Sequence, residues 1–457
     1  MVLLRYLKTI KKGVKNGKWY TIGICFQCQR VLVLPCTGRR PALAAATHVT
    51  ERAMSIKSKQ LLWFFAFFLV FELNIYLSND MIMPAMLSIV DEFQADKKFI
   101  PLSLSLYLLG GSSLQIFLGP LAEHVGKRKL VLAGNTLFLL ATLAVPLTAS
   151  IEQFLLARFV QGMGCCFVFV GYAMIHELFD DMAAVKLSSI LSSTTILAPL
   201  AGPILGSAII SQLDWRYVFV LSGLLALLSL LGLFNSMPRT PPAVARLDLA
   251  AIVRSYAAIF SNGRFMFGMF TAGLATVPLT AWIGFSPIFV LQEMRASYAT
   301  YIALQCVILS GFVLSSIAIQ RLRQDFPLVY LLRLGGLIAA AGMLGAGVFR
   351  HHVDVFAACM FIYSLGFGLF NGALIRSAIT ASKEAMTLTT AAMSLLYCIY
   401  LSAWLQLYNL LCQRFGYALE TYALLNMPVI LIIVACLLLF TRGMAGRGES
   451  EVRLARH

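Results

Sequence analysis

The sequence is poor in charge, and above all in acidic residues. Only 12% of its 457 residues are Asp, Glu, Lys or Arg, and just 20 are acidic, whereas about 25% charged residues is usual in soluble globular proteins. Hydrophobic residues reach 60%, and the mean hydropathy is +0.83. A water-soluble protein of this size could not bury so much apolar surface, and disordered or collagen-like chains are excluded as well. The composition therefore predicts a helical protein that crosses the membrane many times.

The sequence also lacks the residue spacings of a metal site, a disulfide framework or an enzyme active site. Most of its ten Cys lie in apolar segments, where a thiol behaves as a small hydrophobe. Cys25 and Cys28, with Cys36 and His48, hint at zinc, but no second well-spaced pair follows. We find no nucleophile–base pair. We therefore expect no metal, no cofactor and no enzymatic activity.

Twelve apolar runs, each able to cross about 30 Å of hydrocarbon, follow one another from residue 61 onward. They predict an all-α membrane protein with twelve transmembrane helices in two pseudo-symmetric six-helix bundles, 61–236 and 265–440, because repeated halves are common among transporters. A basic linker, 237–264, separates the halves, and a tail, 441–457, follows them. The runs lie at 61–89, 100–121, 130–149, 152–175, 188–211, 216–236, 265–291, 298–320, 327–349, 353–379, 386–412 and 418–440.

The basic residues indicate orientation in the bilayer rather than a nucleic-acid partner. Of 36 Lys and Arg, 12 lie in 1–60 and most others sit in short gaps between apolar runs. With the N-terminus in the cytoplasm, the inside segments after residue 60 hold sixteen basic residues and the outside segments six. This bias predicts that both termini are cytoplasmic. We expect residues 1–60 to be a basic cytoplasmic extension, in which 1–53 lack helical periodicity. Either Met54 is the true start of the protein, or 1–53 form a cytoplasmic tail or a targeting segment.

A charge inside a predicted membrane helix costs a few kcal/mol and so indicates function, and three such residues stand out, Glu72, Asp80 and Arg158. Glu72 and Asp80 share the first run, eight residues apart, which places them about 80° apart around the helix and about 12 Å apart along it. Both carboxyl groups can thus face one interior cavity and carry a proton there. Either one alternatively has a structural role. Pro84, four residues after Asp80, favours a kink beside it. Arg158, in the fourth run, either faces inward or extends to the membrane surface.

Two further stretches have sequence features that indicate conformational change. Between the second and third runs, 119–129 forms a short loop in which an acid, a glycine and basic residues either tether the helices or latch the two halves. In the fifth run, 198–206 packs two Pro and two Gly into nine residues, which favours a kinked face for close helix contact.

These patterns together resemble the major facilitator superfamily. The stretch 119–129 resembles its loop signature, with Glu123 in place of the usual Asp. Residues 155–166 resemble its fourth-helix signature, and 198–206 resemble the fifth-helix signature of drug/proton antiporters, with Ser207 where a second Gly is usual. The first-helix stretch 71–84 is similar to that of the MdfA-type multidrug/proton antiporters of Gram-negative bacteria.

The resemblance implies roles for particular residues. Asp80, Glu72 and Arg158 would couple protons and meet cationic drugs, and Glu177 would match a further acid at the end of the fourth helix. The candidate residues of the substrate cavity are Tyr76, Asn79, Leu104, Leu108, Tyr172, Leu279 and Trp282. The candidate residues of conformational motifs are Gly119, Glu123, Gly126, Arg128, Gln161, Gly162, Pro199, Gly202, Pro203 and Gly206.

The function that the sequence predicts is proton-coupled efflux of lipophilic neutral and cationic drugs, such as chloramphenicol-like compounds, by alternating access. The alternatives are a proton-coupled exporter of one endogenous metabolite and an importer of a small solute. We expect the protein to lie in the bacterial inner membrane as a monomer. Its partners would be small-molecule drugs, protons and the lipid bilayer, with no nucleic acid.

Overall fold

The computed structural model describes most of the chain, which divides into two units, 1–60 and 61–457. The backbone is described for residues 7–15, 18–25, 30–35, 40–179, 181–239, 249–321, 328–384 and 386–454. Side chains are described for residues 59–122, 124–179, 187, 190–191, 198–239, 250–319, 321, 328–384, 386 and 388–442.

The first unit contains a small antiparallel sheet in the order β1-β2-β3. In its register Val14 lies opposite Trp19, and Tyr20 lies opposite Pro35. The sequence analysis did not predict this sheet, although Val, Ile, Trp and Tyr are residues that favour strands. The strands are β1 (Leu7–Lys15), β2 (Lys18–Cys25) and β3 (Arg30–Pro35).

The first helix begins at Arg40, and the rest of the described chain is helical. The first half of the second unit is built from the part of α1 (Arg40–Met81) that follows residue 60 and from α2 (Met86–Glu92), α3 (Phe99–Ser113), α4 (Gln115–Val125), α5 (Lys127–Ala144), α6 (Ile151–Cys165), α7 (Val168–Leu178), α8 (Asp181–Ile210) and α9 (Arg216–Ser236). The second half is built from α10 (Leu249–Phe260), α11 (Gly263–Ser286), α12 (Tyr298–Arg321), α13 (Leu328–Val348), α14 (Val353–Ile379), α15 (Met386–Phe415) and α16 (Leu419–Leu454).

Within the described residues, eleven helical segments are long and apolar enough to cross a membrane. Each of them lies on one of the predicted runs, and their ends agree within about five residues. The remaining predicted run, 188–211, lies on α8, where the stretch Ala198–Ile210 is apolar but short. Side chains 192–197, just before it, lie outside the described residues. The all-α prediction is therefore confirmed for the membrane-embedded part of the chain.

The first membrane helix is broken where the sequence predicted a kink. α1 ends at Met81, a 3-10 turn occupies Met83–Ala85, and α2 continues from Met86. Pro84 lacks the N–H that would bond to the carbonyl group of Asp80, so the regular helix cannot pass through it. The break leaves Asp80 at the very end of α1, one residue before the last.

The predicted loop 119–129 is shorter than the sequence suggested. Helix α4 continues through Pro120 to Val125, and α5 begins at Lys127. The whole turn is a single residue, Gly126, whose φ of 98° is favourable for glycine alone. The loop prediction was wrong because one residue with positive φ is enough to reverse the chain here.

Glycines allow α8 to press directly on the first membrane helix. A Cβ atom added at Gly206 would overlap the carbonyl oxygen of Met81, and one added at Gly202 would overlap the Cβ atom of Asp80. Helix α8 contains Pro199 and Pro203 without a break. The close helix contact expected of this stretch is present and lies against Asp80, whereas the kink expected with it does not interrupt α8.

Polar pairs join the helices of the first half where no water can reach them. The amide of Asn74 donates to the carbonyl oxygen of Ser222 at 2.9 Å, and the Ser222 hydroxyl donates back to Asn74 Oδ1 at 3.0 Å. Asn135 donates to the hydroxyl oxygen of Ser229 at 2.8 Å. Hydrogen bonds of this kind hold membrane helices together, since lipid tails compete for apolar contacts but not for polar ones. They fix α9 against α1 and α5.

Replacing Gly206 by Ala is expected to destabilise the fold by about 1–3 kcal/mol, because the new methyl group must push α8 away from α1. The measurement is thermal unfolding of the purified protein in detergent. Gly372→Ala is the matched control, since a Cβ atom at this helical glycine meets nothing within 4 Å. Equal stability of the two variants would contradict the close contact at Met81.

Candidate functional site

Arg158 is fully buried in the middle of the first half, on α6. Its guanidinium donates to Gln161 Oε1 at 2.5 Å, to Asn79 Oδ1 at 2.8 Å and to the Ser103 hydroxyl at 3.4 Å. The same group lies 4.4 Å from the centre of the Tyr107 ring. The alternative in which this side chain extends to the membrane surface is therefore wrong, and Arg158 faces inward.

Asp80 lies close to this cation and is only 6% exposed. Its Oδ1 accepts a hydrogen bond from the side-chain amide of Asn79 at 3.2 Å, while the carbonyl oxygen of the same amide accepts from Arg158. Asn79 therefore bridges the two charges. Because an amide can serve both charges at once, Asp80 can gain or lose a proton without breaking the anchor of Arg158.

Gln161 extends the network from Arg158 toward α5. Its Nε2 donates to the Thr142 hydroxyl at 2.8 Å. Beside it, a Cβ atom added at Gly162 would overlap the carbonyl oxygen of Tyr107, so α6 and α3 are in backbone contact. These two members of the predicted fourth-helix motif hold Arg158 in position.

Glu72 is the second buried acid, two turns before Asp80 on α1. Its Oε1 accepts a hydrogen bond from the Tyr172 hydroxyl at 2.5 Å. Its Oε2 is buried and has no hydrogen-bond partner among the described residues. A buried carboxylate oxygen without a partner is costly. This geometry suits a group that takes up a proton or a positively charged ligand.

Tyr76 lies between the two acids on α1, one turn from each. Tyr76 is 36% exposed, and Glu72, Cys165 and Cys398 are all within electrostatic reach of it. Tyr76 thus has neighbours on α6 and α15 as well as on α1. Sequence reasoning missed Cys398, because nothing in its apolar run distinguishes it from a packing residue.

The other predicted cavity residues divide into accessible and covered ones. Tyr172 and Leu108 keep part of their surface accessible. Leu104, Leu279 and Trp282 are buried. The indole of Trp282 donates to Gln305 Oε1 at 2.9 Å. In this conformation these three pack the interior, and their place in a substrate cavity stays a prediction.

The predicted latch residues make contacts within the first half. Arg128 donates to the carbonyl oxygen of Phe234 at 2.6 Å and lies over its ring at 5.7 Å. Lys127 forms an ion pair with Glu177. An added Cβ atom at Gly119 meets nothing within 4 Å. The side chain of Glu123 lies outside the described residues, so its part in a latch stays a prediction.

A polar clasp joins the two halves near the start of α3. Lys97 Nζ lies 3.1 Å from Glu293 Oε1, and Asn409 donates to the carbonyl oxygen of Lys98 at 3.0 Å. Gln406 donates to the Ser105 hydroxyl at 2.9 Å. These contacts hold the two halves together at this end of α3.

No group of three or more metal-binding side chains occurs among the described residues. The Cys25, Cys28, Cys36 and His48 side chains, in which the sequence hinted at zinc, lie outside them.

Comparison with known proteins agrees with this fold and site. The model of the Major Facilitator Superfamily matches residues 62–403. Over 344 residues, 74% of this chain and 84% of the relative, the chain is 36% identical to the multidrug transporter MdfA of Escherichia coli O6:H1. Over 333 residues, 72% of this chain and 81% of the relative, it is 35% identical to MdfA of Edwardsiella ictaluri.

Two solved structures share the architecture. A bacterial homologue of the human lysosomal transporter Spinster superposes with a TM-score of 0.66 at 15% identity, covering 84% of this chain and 97% of that one. A D-xylose-proton symporter gives 0.63 at 17% identity, with coverage of 82% and 97%. At such identity the likeness shows the fold alone.

The family match and these relatives indicate a membrane transporter rather than an enzyme. The chain belongs to the Major Facilitator Superfamily. Within that superfamily it is a transporter of the MdfA type.

Replacing Arg158 by Lys is expected to lower stability by about 3 kcal/mol, although the charge is kept. An ammonium group cannot reproduce the planar set of bonds to Gln161 and Asn79, and each charge-assisted bond contributes about 1.5 kcal/mol or more. Thermal unfolding in detergent measures the change. In the control Arg350→Lys, whose guanidinium donates only to the Gly347 carbonyl oxygen, a change below about 0.5 kcal/mol is expected. An equal change in stability in the two variants would contradict the hydrogen bonds assigned to Arg158.

Proposed function

We propose that this protein exports lipophilic neutral and cationic drugs from the cytoplasm in exchange for protons. The observation that carries the proposal is the pair of buried carboxyl groups, Asp80 and Glu72, on one helix beside the buried cation Arg158. Charged groups inside a membrane bundle mark ion pathways and proton relays. The relatives at 35–36% identity are multidrug transporters by name, which supports drugs as the cargo.

The two acids have different surroundings, and we assign them different tasks. Asp80 is held by Asn79, which links it to Arg158. It therefore exchanges the proton next to a fixed positive charge. One carboxylate oxygen of Glu72 accepts from the Tyr172 hydroxyl, and the other has no partner among the side chains that the structure describes. It therefore supplies the negative charge that a cationic drug requires.

Transport proceeds by alternating access between two bodies, which we take as residues 61–236 and 265–440. In the outward state a proton binds and the drug leaves. In the inward state the proton leaves to the cytoplasm and a drug binds. Because both ligands shift the same conformational equilibrium, they compete even when they occupy different atoms. The clasp at Lys97 and Glu293 closes one side of the path in the present conformation.

The energy supply is sufficient for such an exchange. A membrane potential of about 100 mV contributes roughly 2.3 kcal/mol per charge. At about 1.4 kcal/mol per factor of ten, one electrogenic proton supports a drug gradient of roughly 40–50-fold. Exchange of a neutral drug uses both the potential and the pH gradient. One-for-one exchange of a monovalent cation uses the pH gradient alone.

The proposed location is the bacterial inner membrane, with both termini in the cytoplasm. The excess of basic residues in the inside segments supports this orientation. The clasp then faces the periplasm. We expect a monomer to be sufficient, because one chain supplies the acids, the cation and both halves around them.

Asp80→Asn is expected to abolish proton-driven transport of both a neutral and a cationic drug, because the amide can neither bind nor release a proton.

Glu72→Gln should impair transport of the cationic drug more than transport of the neutral one, because the variant lacks the negative charge. Both are measured in proteoliposomes with an imposed pH gradient, beside the control Asp354→Asn, an exposed acid at the start of α14. Intact proton-driven transport in Asp80→Asn would refute its assigned role. Uptake of a metabolite instead of drug efflux would favour the importer.

A covalent cross-link in place of the clasp is expected to stop transport, because the two halves must separate there. Lys97→Cys and Glu293→Cys are introduced together, joined by a cleavable bifunctional thiol reagent, and transport is measured before and after cleavage. The matched control joins Glu92→Cys to Arg216→Cys, whose parent side chains lie 2.6 Å apart within the first half. Continued transport across the cross-linked clasp would contradict alternating access between these bodies.

A further inference from the structure

A short apolar helix, α10, lies between the two halves in the sequence. It contains one charged residue, Arg254, and otherwise mostly Ala, Ile, Val and aromatic residues. Its apolar stretch, Ala250–Phe260, is too short to cross a membrane. Such a helix either packs in the protein interior or lies at the membrane interface. The two faces of α10 decide between these alternatives.

One face of α10 is held against the transmembrane bundle. Ile259 is fully buried, and the Tyr256 hydroxyl donates to the backbone carbonyl oxygen of Ile116 on α4 at 3.0 Å. The helix also packs against α15. Just after it, the side-chain amide of Asn262 donates to the carbonyl oxygen of Ala381 at 2.9 Å. These contacts fix the orientation of α10.

The opposite face of α10 is exposed and includes its charged residue. Val253 is 66% exposed, and Arg254 and Ala257 are exposed as well. Val253 and Ala257 share one side of the helix because they are four residues apart, and Arg254 borders them. With this face exposed, α10 is not an interior helix.

The ends of the neighbouring membrane spans give the depth of α10. Ile116, which accepts the bond from Tyr256, is six residues and thus about 9 Å of helix before Ala122, where the apolar span of α3 and α4 ends. Phe260 is three residues before Gly263, where the span of α11 begins. An interfacial helix lies about 5–10 Å into the boundary between headgroups and acyl chains. Both neighbours therefore indicate that α10 lies at this boundary.

The surface of α4 beside this contact is of the kind that faces lipid. Phe117, next to Ile116, is 60% exposed, and Leu121, one turn further on, is 37% exposed. Large apolar side chains exposed on a membrane span contact acyl chains. This lipid-facing surface reaches the point at which Tyr256 joins α10 to α4, so lipid borders α10.

Basic residues outnumber acidic ones around α10. Arg254 lies on its exposed face, Arg264 follows it at the start of α11, and Lys383 lies two residues after Ala381, next to the acid Glu384. An arginine can extend its charged end to the headgroups while its stem stays in apolar surroundings. Each basic residue near a membrane surface favours anionic lipid by about fivefold. The charge of this end of the bundle therefore complements an anionic lipid surface.

We propose that the exposed face of α10 is a docking surface for anionic phospholipids, with acyl chains against Val253 and Ala257 and the phosphate group on the Arg254 guanidinium. In the proposed orientation these lipids belong to the cytoplasmic leaflet. Because Tyr256 bonds α10 to α4 while the helix packs on α15, the bound lipid lies where the two halves meet. Lipid binding needs neither drug nor proton exchange, so its test is independent of the proposed transport.

The test uses a fluorescent reporter on α10 of the full-length protein. Val253→Trp is reconstituted in phosphatidylcholine vesicles that contain the same small fraction of either phosphatidylglycerol or phosphatidylcholine with brominated acyl chains, which quench tryptophan on contact. The quenching of the five tryptophans of the parent protein is subtracted. The reporter is expected to prefer phosphatidylglycerol by about fivefold or more. High salt should weaken the preference, because it screens exposed charges.

Three further variants isolate the cause of the preference. Arg254→Gln in the reporter protein should lower it about fivefold, whereas Arg254→Lys, which keeps the charge, should retain it. The matched control Arg414→Gln removes another exposed positive charge, at the far end of α15, and should leave the preference unchanged. A control reporter, Leu337→Trp, at a 63% exposed position in the middle of α13, should be quenched by both lipids without preference.

Equal quenching of the Val253→Trp reporter by the two lipids overturns the proposal, as does an equal loss of preference in Arg254→Gln and Arg414→Gln. Protection from both lipids overturns it as well and indicates a second copy of the chain or another protein as the occupant. Ala257→Trp, one turn later on the same face, provides the same test should Val253→Trp not fold. If the parent protein carries no drug while the lipid preference is present, the proposed function fails and this inference stands.

Discussion

The fold is organised around a cation that cannot reach water. Arg158 is fully buried among helices, and its guanidinium is satisfied by Gln161, Asn79 and Ser103 together with the face of the Tyr107 ring. If any partner were removed, the buried charge of Arg158 would lack a hydrogen bond in a low-dielectric environment, at a cost of several kcal/mol. Arg158 therefore depends on close contact between α3 and α6. Gly110 on α3 and Gly162 on α6 make that contact possible. Asp80 completes the arrangement through Asn79.

The second constraint is that the site must be stable in more than one arrangement of the halves. Rigid polar pairs such as Asn74 with Ser222 stabilise the first half as a body. Between the halves, contacts are of a different kind. The pair Lys97 and Glu293 is exposed, and exposed pairs contribute only about 0–1 kcal/mol. Glu72 Oε2, which has no hydrogen-bond partner among the described residues, leaves an interaction to be gained in another state. Strong contacts within the first half and weak contacts between the halves together permit motion driven by one proton.

The membrane helices and the buried charges could be predicted from the sequence. The same physical reasons explain which predictions were wrong. Hydrophobic run length fixes the membrane helices, because the bilayer demands about twenty apolar residues. Charges inside such runs are costly and so indicate function, and Glu72, Asp80 and Arg158 are all buried. The kink at Pro84 follows from its missing N–H. The nearness of Cys398 to Tyr76 could not be predicted, since Cys398 is an ordinary member of an apolar helix until tertiary packing brings it there. The predicted length of the loop at Gly126 was too great, because the backbone angles of one residue decide where the helices on either side of it end.

We infer that the carboxyl group of Asp80 gives up a proton when drug binds. Difference infrared spectroscopy of the purified protein, with and without a lipophilic cationic drug, observes the carbonyl band of protonated carboxyl groups directly. This band is expected to decrease on drug binding in the parent protein, and the decrease is expected to be missing in Asp80→Asn. An unchanged band in the parent protein, or the same decrease in the variant, would refute proton release from Asp80.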